Sequence, residues 1–170
     1  NWDTTAPATV VVGTPPPGRE DLASEDIREI ALRFERGVTK LRVAPKALHT
    51  MKDQVRQLTR RTRGRSLAEV VRSLAAYLNG WLGYFRVART KKRFQEMDEW
   101  IRHRLRAYQL KQWKRGPTVF RELRARGLSA NAAKKVAANT RRWWRNSAMA
   151  INAAIPIAFF DGLGLPRLAP

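Results

Sequence analysis

Three long amphipathic patterns follow one another through the middle of the chain. The first opens at Pro45, a residue suited to the first turn of a helix. At about 100° per residue, Leu48, Met51, Val55 and Leu58 fall within an arc of about 80°, a narrow seam for burial. Lys52, Arg56, Arg60 and Arg63 occupy an adjoining arc of about the same width, so they form a continuous basic stripe. The helix is predicted to close in Arg60-Arg61-Thr62-Arg63-Gly64-Arg65, with Gly64 as the left-handed cap. Cations near a helix C-terminus complement its dipole, which accounts for one or two arginines but not for a whole stripe. The stripe therefore points to phosphates of RNA or DNA.

The second pattern begins with Ser66-Leu67-Ala68-Glu69, a capping box. Leu67, Val70, Val71, Leu74, Leu78, Trp81, Leu82 and Phe85 cover about half of the circumference, so this helix is expected to be central and its aromatics core. Ala76, Gly80 and Gly83 line the opposite side. Glycine inside a helix is costly, so either the helix breaks at Asn79-Gly80 or another backbone approaches there. The continuing apolar register favours close approach. The third pattern spans residues 91–115, with Phe94, Met97, Ile101, Leu105 and Tyr108 as its seam and Arg102, Arg106, Gln109 and Trp113 on one flank. Glu96, Asp98 and Glu99 lie near its start, where acids oppose the dipole's positive end. Asp98 with Arg102, and Glu99 with His103, have the spacing of ordinary helical ion pairs, which makes His103 a paired surface residue.

On either side of these helices the pattern is shorter. Gly116-Pro117 ends the third helix, residues 118–126 read as a short helix closed by Gly127, and Ser129 caps an alanine-rich helix reaching about Asn139, with Lys134 and Lys135 exposed. Arg141-Arg142-Trp143-Trp144-Arg145 then sets two indoles among three guanidinium groups. Such a cluster can hold phosphates while a ring stacks on a base, with at least one indole anchored in the core. Residues 152–165 form an apolar closing segment broken by Pro156. At the other end, Thr14-Pro15-Pro16-Pro17-Gly18 is a stiff spacer. One amphipathic helix is predicted after it, capped by Ser24, ended by Gly37 and striped by Ile27, Ile30, Ala31 and Phe34. The expected organisation is a leader over residues 1–40, a three-helix core over 41–116 and a basic helical tail over 117–170.

Charge sharpens this division. The 170 residues carry a net charge of +20, yet residues 1–40 sum to −2 and residues 41–170 to +22. A field of that sign favours a polyanionic partner. Cysteine is absent, which excludes disulfides, thiolate zinc sites and cysteine nucleophiles. Only His49 and His103 offer imidazole, so no metal site and no cofactor are expected. No GxxxxGK[ST], HExxH or GxSxG motif and no paired metal-binding aspartates occur, so no catalytic residue is assigned. The longest apolar run, residues 148–160, is too short to span a membrane, and no secretory signal is visible. The residues alone describe an all-α, basic nucleic-acid-binding bundle with a partly extended leader.

Several ordered motifs add a resemblance. Leu41-Arg42-Val43-Ala44-Pro45-Lys46, the run from Arg56 through Arg65 to Leu67, and Gly80-Trp81-Leu82-Gly83-Tyr84-Phe85 resemble the thumb and maturase (X) region of group II intron-encoded reverse transcriptases. Trp100-Ile101-Arg102-His103-Arg104-Leu105-Arg106 and Lys111-Gln112-Trp113-Lys114-Arg115 are similar to the helix that follows in that family. Asn152-Ala153-Ala154-Ile155-Pro156 and Phe160-Asp161-Gly162-Leu163-Gly164-Leu165 are similar to the tail of its bacterial members, so the resemblance covers residues 41–168. It implies a module that binds folded intron RNA and supports splicing and retrohoming, while the RNA supplies the splicing chemistry. By motif position it implies RNA contacts at Arg60, Arg61, Arg63 and Arg65, and further ones at Arg102, Arg106, Lys111, Lys114 and Arg115. With Lys52 and Arg56 of the stripe and Arg141, Arg142 and Arg145 of the tail, these make the candidate set; the tail arginines face intron RNA or target DNA. Ala75 and Asn79 depart from the asparagine and arginine expected there, and residues 1–40 match no part of the family.

Fingers and palm motifs are missing from the chain, so polymerase activity is not expected within it. Two further readings stand beside the maturase module. One is a non-catalytic piece of a split RNA-directed DNA polymerase, paired with a separate palm and fingers chain. The other is a maturase-derived structural subunit of a large ribonucleoprotein. All three place the protein inside the cell, in a bacterial cytoplasm or an organelle.

Overall fold

The computed structural model describes residues 30–35, 38–62, 64–85, 91–148 and 150–169. Within them a two-stranded hairpin, β1 (Ile30–Glu35) and β2 (Val38–Val43), leads into an all-α bundle. Its long helices are α1 (Pro45–Leu58), α2 (Leu67–Phe85) and α3 (Lys91–Trp113). The shorter ones are α4 (Gly116–Ala125), α5 (Ala130–Ala137), α6 (Trp143–Asn146), α7 (Ile151–Ala154) and α8 (Ile157–Gly162).

The local signals act where they stand in the chain. Pro45 occupies the first turn of α1, and Gly64 adopts the left-handed conformation at φ 67°. Thr59 ends α1 by donating its hydroxyl to the Val55 carbonyl at 2.6 Å. Before α2, Glu69 accepts the Ser66 backbone N–H at 2.7 Å while the Ser66 hydroxyl accepts the Glu69 N–H at 3.3 Å, a complete capping box. These bonds stabilise the ionised Glu69 carboxylate, with the Ser66 hydroxyl contributing most, and hold its pKa below 4.5. The intervening loop is tied to α3, because the Arg65 carbonyl accepts from the Tyr108 hydroxyl at 2.6 Å and the Gln112 amide at 2.7 Å.

The core runs along the predicted seams: Met51 and Val55 on α1, Val71, Leu74 and Leu78 on α2, and Ile101 and Leu105 on α3 are fully enclosed. Trp81 joins α2 to α3, its ring centroid 4.5 Å from Phe85 and 5.5 Å from Phe94. The central element is α3 rather than α2, since α3 packs on α2, α4 and α6. The tail closes on itself through α4 and α5. Asn146 is buried and donates its amide to the Val136 and Asn139 carbonyls, which docks α6 against the end of α5.

Two further expectations are corrected. The leader helix does not extend over its described part: Ile30–Glu35 is a strand, paired antiparallel with Val38–Val43 in a register that sets Ile30 opposite Val43 and Glu35 opposite Val38. The sequence Ile30-Ala31-Leu32-Arg33-Phe34-Glu35 satisfies a period of two as well as a helical one. A β-branched partner segment two residues away, across a Gly-containing link, decides for the hairpin. The hairpin also straddles the boundary expected at residue 40. Ser24, Ile27 and the proline-rich spacer lie outside the described residues. The second correction concerns Gly80 and Gly83: α2 is continuous, and a Cβ on either would meet only open space. Close approach occurs instead at Gly116, where a Cβ would lie 3.0 Å from the Ala137 carbonyl oxygen.

Gly80→Ala should therefore stabilise the protein by about 0.5–1 kcal/mol, whereas Trp81→Ala should cost about 3–5 kcal/mol. Urea denaturation of the two variants checks both signs.

Candidate nucleic-acid interface

The exposed basic face is assembled from α1, α3 and α6. Arg56, Arg60 and Arg61 are exposed, and Lys52 is half-buried. On α3, Trp100, Arg104 and Lys111 fall within about 60° of arc, so one side of that helix presents them together. Two tryptophans organise the cations. Arg56 and Arg104 lie over the Trp100 ring at 5.7 and 5.2 Å from its centroid. Arg61 and Lys111 lie over the Trp143 ring at 5.2 and 5.3 Å. Each indole thus attracts two cations through its π face.

Arg104 links the two groups. It is half-buried and donates its Nε to the Thr59 hydroxyl at 2.9 Å. Burial and then the neighbouring Arg61 and Arg56 charges hold its pKa below the usual arginine value. Asp53, bonded to Arg56 at 2.5 Å, is the acidic partner in this group among the described residues. Like charges gathered so closely gain from an external anion, because each phosphate replaces mutual repulsion with attraction. Arg104 is not among the candidates given by the sequence, because the basic flank that contains Arg102 lies on the other side of α3. Its signal was its place one turn beyond Trp100 and two turns before Lys111.

Arg102 and Arg106 are corrected in the opposite direction: they are only 3% and 8% exposed. Arg102 pairs with Asp98 at 2.8 Å and reaches Asp161 at 3.5 Å. Arg106 donates its Nε to the Ile155 carbonyl at 2.9 Å and lies over the Phe160 ring. The turn carrying Ile155 and helix α8 cover this flank, so these arginines serve the interior. Burial, then the neighbouring Arg102 charge, lowers the pKa of Arg106. Asp98 also accepts the Leu168 and Ala169 backbone N–H groups at 3.0 and 3.1 Å. His103 is likewise reassigned, since it stacks on Trp144 instead of pairing with Glu99.

The remaining candidates are dispersed. Arg65 is half-buried and bonded to Ser73, whereas Lys114 and Arg115 are exposed at the junction of α3 and α4. Arg141, Arg142 and Arg145 are exposed around α6. Arg63 lies outside the described residues. An open cavity of about 820 Å³ between α3 and the tail is lined by Arg106, His103, Asn152 and Ile157, among others. No helix among the described residues is long and apolar enough to cross a membrane.

The described residues thus form an all-α bundle with a basic, tryptophan-braced face. Residues 48–127 match the model of the group II intron maturase-specific domain. The matched segment contains most of α1 and all of α2, α3 and α4, while Trp143 lies beyond it. Uncharacterized proteins of Mycobacterium tuberculosis and Mycobacterium bovis are each 52% identical to this chain over an alignment of 44 residues that covers 21% of this chain. The match spans only 11% of the length of those relatives.

The tail clasp gives a pH prediction. Hydrogen bonds from Arg167, foremost, hold the Asp161 carboxyl below its ordinary 3.8. A folded-state pKa below the unfolded one contributes stability above pH 3.8, lost as pH falls through the depressed value. Asp161→Asn should lower the melting temperature at neutral pH, and the two melting curves should converge in strong acid.

Proposed function

We propose that this protein is an RNA-binding maturase module that holds folded group II intron RNA in its splicing-competent form and serves splicing and retrohoming. The observation that carries this reading is the paired bracing of Arg56 with Arg104 on Trp100 and of Arg61 with Lys111 on Trp143. All of these except Trp143 belong to the maturase region. Planar guanidinium groups held at fixed positions suit phosphates whose spacing is set by RNA tertiary structure, and prior ordering reduces the entropy lost on binding. Arg60 is exposed beside Arg61, and the exposed Arg141, Arg142 and Arg145 of the tail offer further contacts to intron RNA or target DNA. The protein's part is electrostatic and positional, and the bond-making steps of splicing belong to the RNA.

Binding to a transcribed group II intron should be strongly salt-dependent. If about 6–10 phosphates are neutralised, log K falls against log salt with a slope of about −5 to −9. Replacing Arg61 and Lys111 together with glutamine should reduce that slope by about 2. Filter binding across a salt series measures both. An unchanged slope in the double variant would move the contact surface elsewhere.

A further inference from the structure

Trp144 stands apart from the other described tryptophans. Trp81 and Trp113 are buried, and the rings of Trp100 and Trp143 carry cations. Trp144 is 46% exposed, one of two large apolar side chains to be so among the described residues. One face of its indole is covered by His103, with ring centroids 3.9 Å apart and planes inclined by 19°. The solvent-exposed area therefore belongs largely to the opposite face.

The ring is also held in place. The Trp144 carbonyl lies 2.8 Å from His103 Nε2, and since a carbonyl oxygen only accepts, Nε2 carries the hydrogen. The Ser147 hydroxyl donates to the same carbonyl at 2.6 Å. The imidazole that stacks beneath the indole thus also anchors its backbone, which ties the platform to α3. Around it, Arg141, Arg142 and Arg145 are exposed, and no carboxylate among the described residues lies within ion-pair distance of them.

We propose that the open face of Trp144 is a stacking site for one unpaired nucleobase of a single-stranded stretch of nucleic acid. The neighbouring arginines would hold the flanking phosphates, and the bound base would complete a three-layer stack over Trp144 and His103. A flat, preordered ring in a field of uncompensated cations matches the two features of a nucleotide, its π face and its phosphate. This inference rests on the nucleic-acid reading above but adds a contact that basic residues alone cannot make.

The test uses the full chain and three probes: a single-stranded oligoribonucleotide, an abasic strand of equal length, and the same sequence in DNA. Trp144→Ala should weaken binding to the base-bearing RNA by about 5- to 100-fold and leave the abasic strand and the melting temperature unchanged. Trp144→Phe should keep most of the affinity. Trp144-dependent binding of DNA as well as RNA would support a site for a base on either sugar, and dependence on RNA alone would support RNA as the source. Equal losses on base-bearing and abasic strands, no loss on either, or a Phe variant as weak as the Ala variant would each overturn the proposal. If the parent still binds structured intron RNA in such a case, only the stacking site falls. A parent that binds no RNA removes both readings.

Discussion

A guanidinium that is only 3% exposed governs how this bundle closes. Removing Arg102 from water is costly, and the cost is met by Asp98, one turn earlier on α3, and by Asp161 on α8. Asp98 then accepts backbone N–H groups from Leu168 and Ala169, so the same carboxylate that neutralises the helix also secures the chain's far end. A buried ion pair adds little net stability compared with apolar packing, but it tolerates few alternative arrangements. Here its carboxylates join the Arg102 flank of α3 to α8 and to residues 168 and 169.

That arrangement divides the arginines of α3. Arg102 and Arg106 lie about 40° apart and face the tail, whereas Arg104 stands about 200° from Arg102 and joins Trp100 and Lys111 on the open side. The inward group is neutralised or bonded to a carbonyl. The outward group is braced on indoles and remains available to an anion. Interior charge and surface charge on one helix thus have different partners and different work.

Much of this was legible along the chain. The capping box at Ser66, the left-handed Gly64, the first-turn Pro45 and the seams through Met51, Leu74 and Ile101 are local or periodic signals, and each acts within a few residues of where it is written. Gly80 was misread because a glycine in a helix signals either a neighbour or its absence, and the spacing cannot distinguish them. Ile30-Ala31-Leu32-Arg33-Phe34-Glu35 was misread because it fits both periods, and only the pairing partner across residues 36 and 37 selects the strand.

The candidate face was legible as chemistry but not as a list of residues. A net charge of +22 over residues 41–170 and the group of Arg141, Arg142, Trp143, Trp144 and Arg145 are visible in the sequence, and such a field favours a polyanionic partner. Helical periodicity assigns side chains to flanks, because it depends on neighbours within a turn or two. Whether a flank meets water depends on segments some fifty residues away: Asp161 lies 59 positions from Arg102, and Trp144 lies 41 from His103. The order of residues therefore settled the helices, their caps and the sign of the field. Long-range packing settled which arginines look outward and which indole stays bare, since burial is a property of what comes to lie on top.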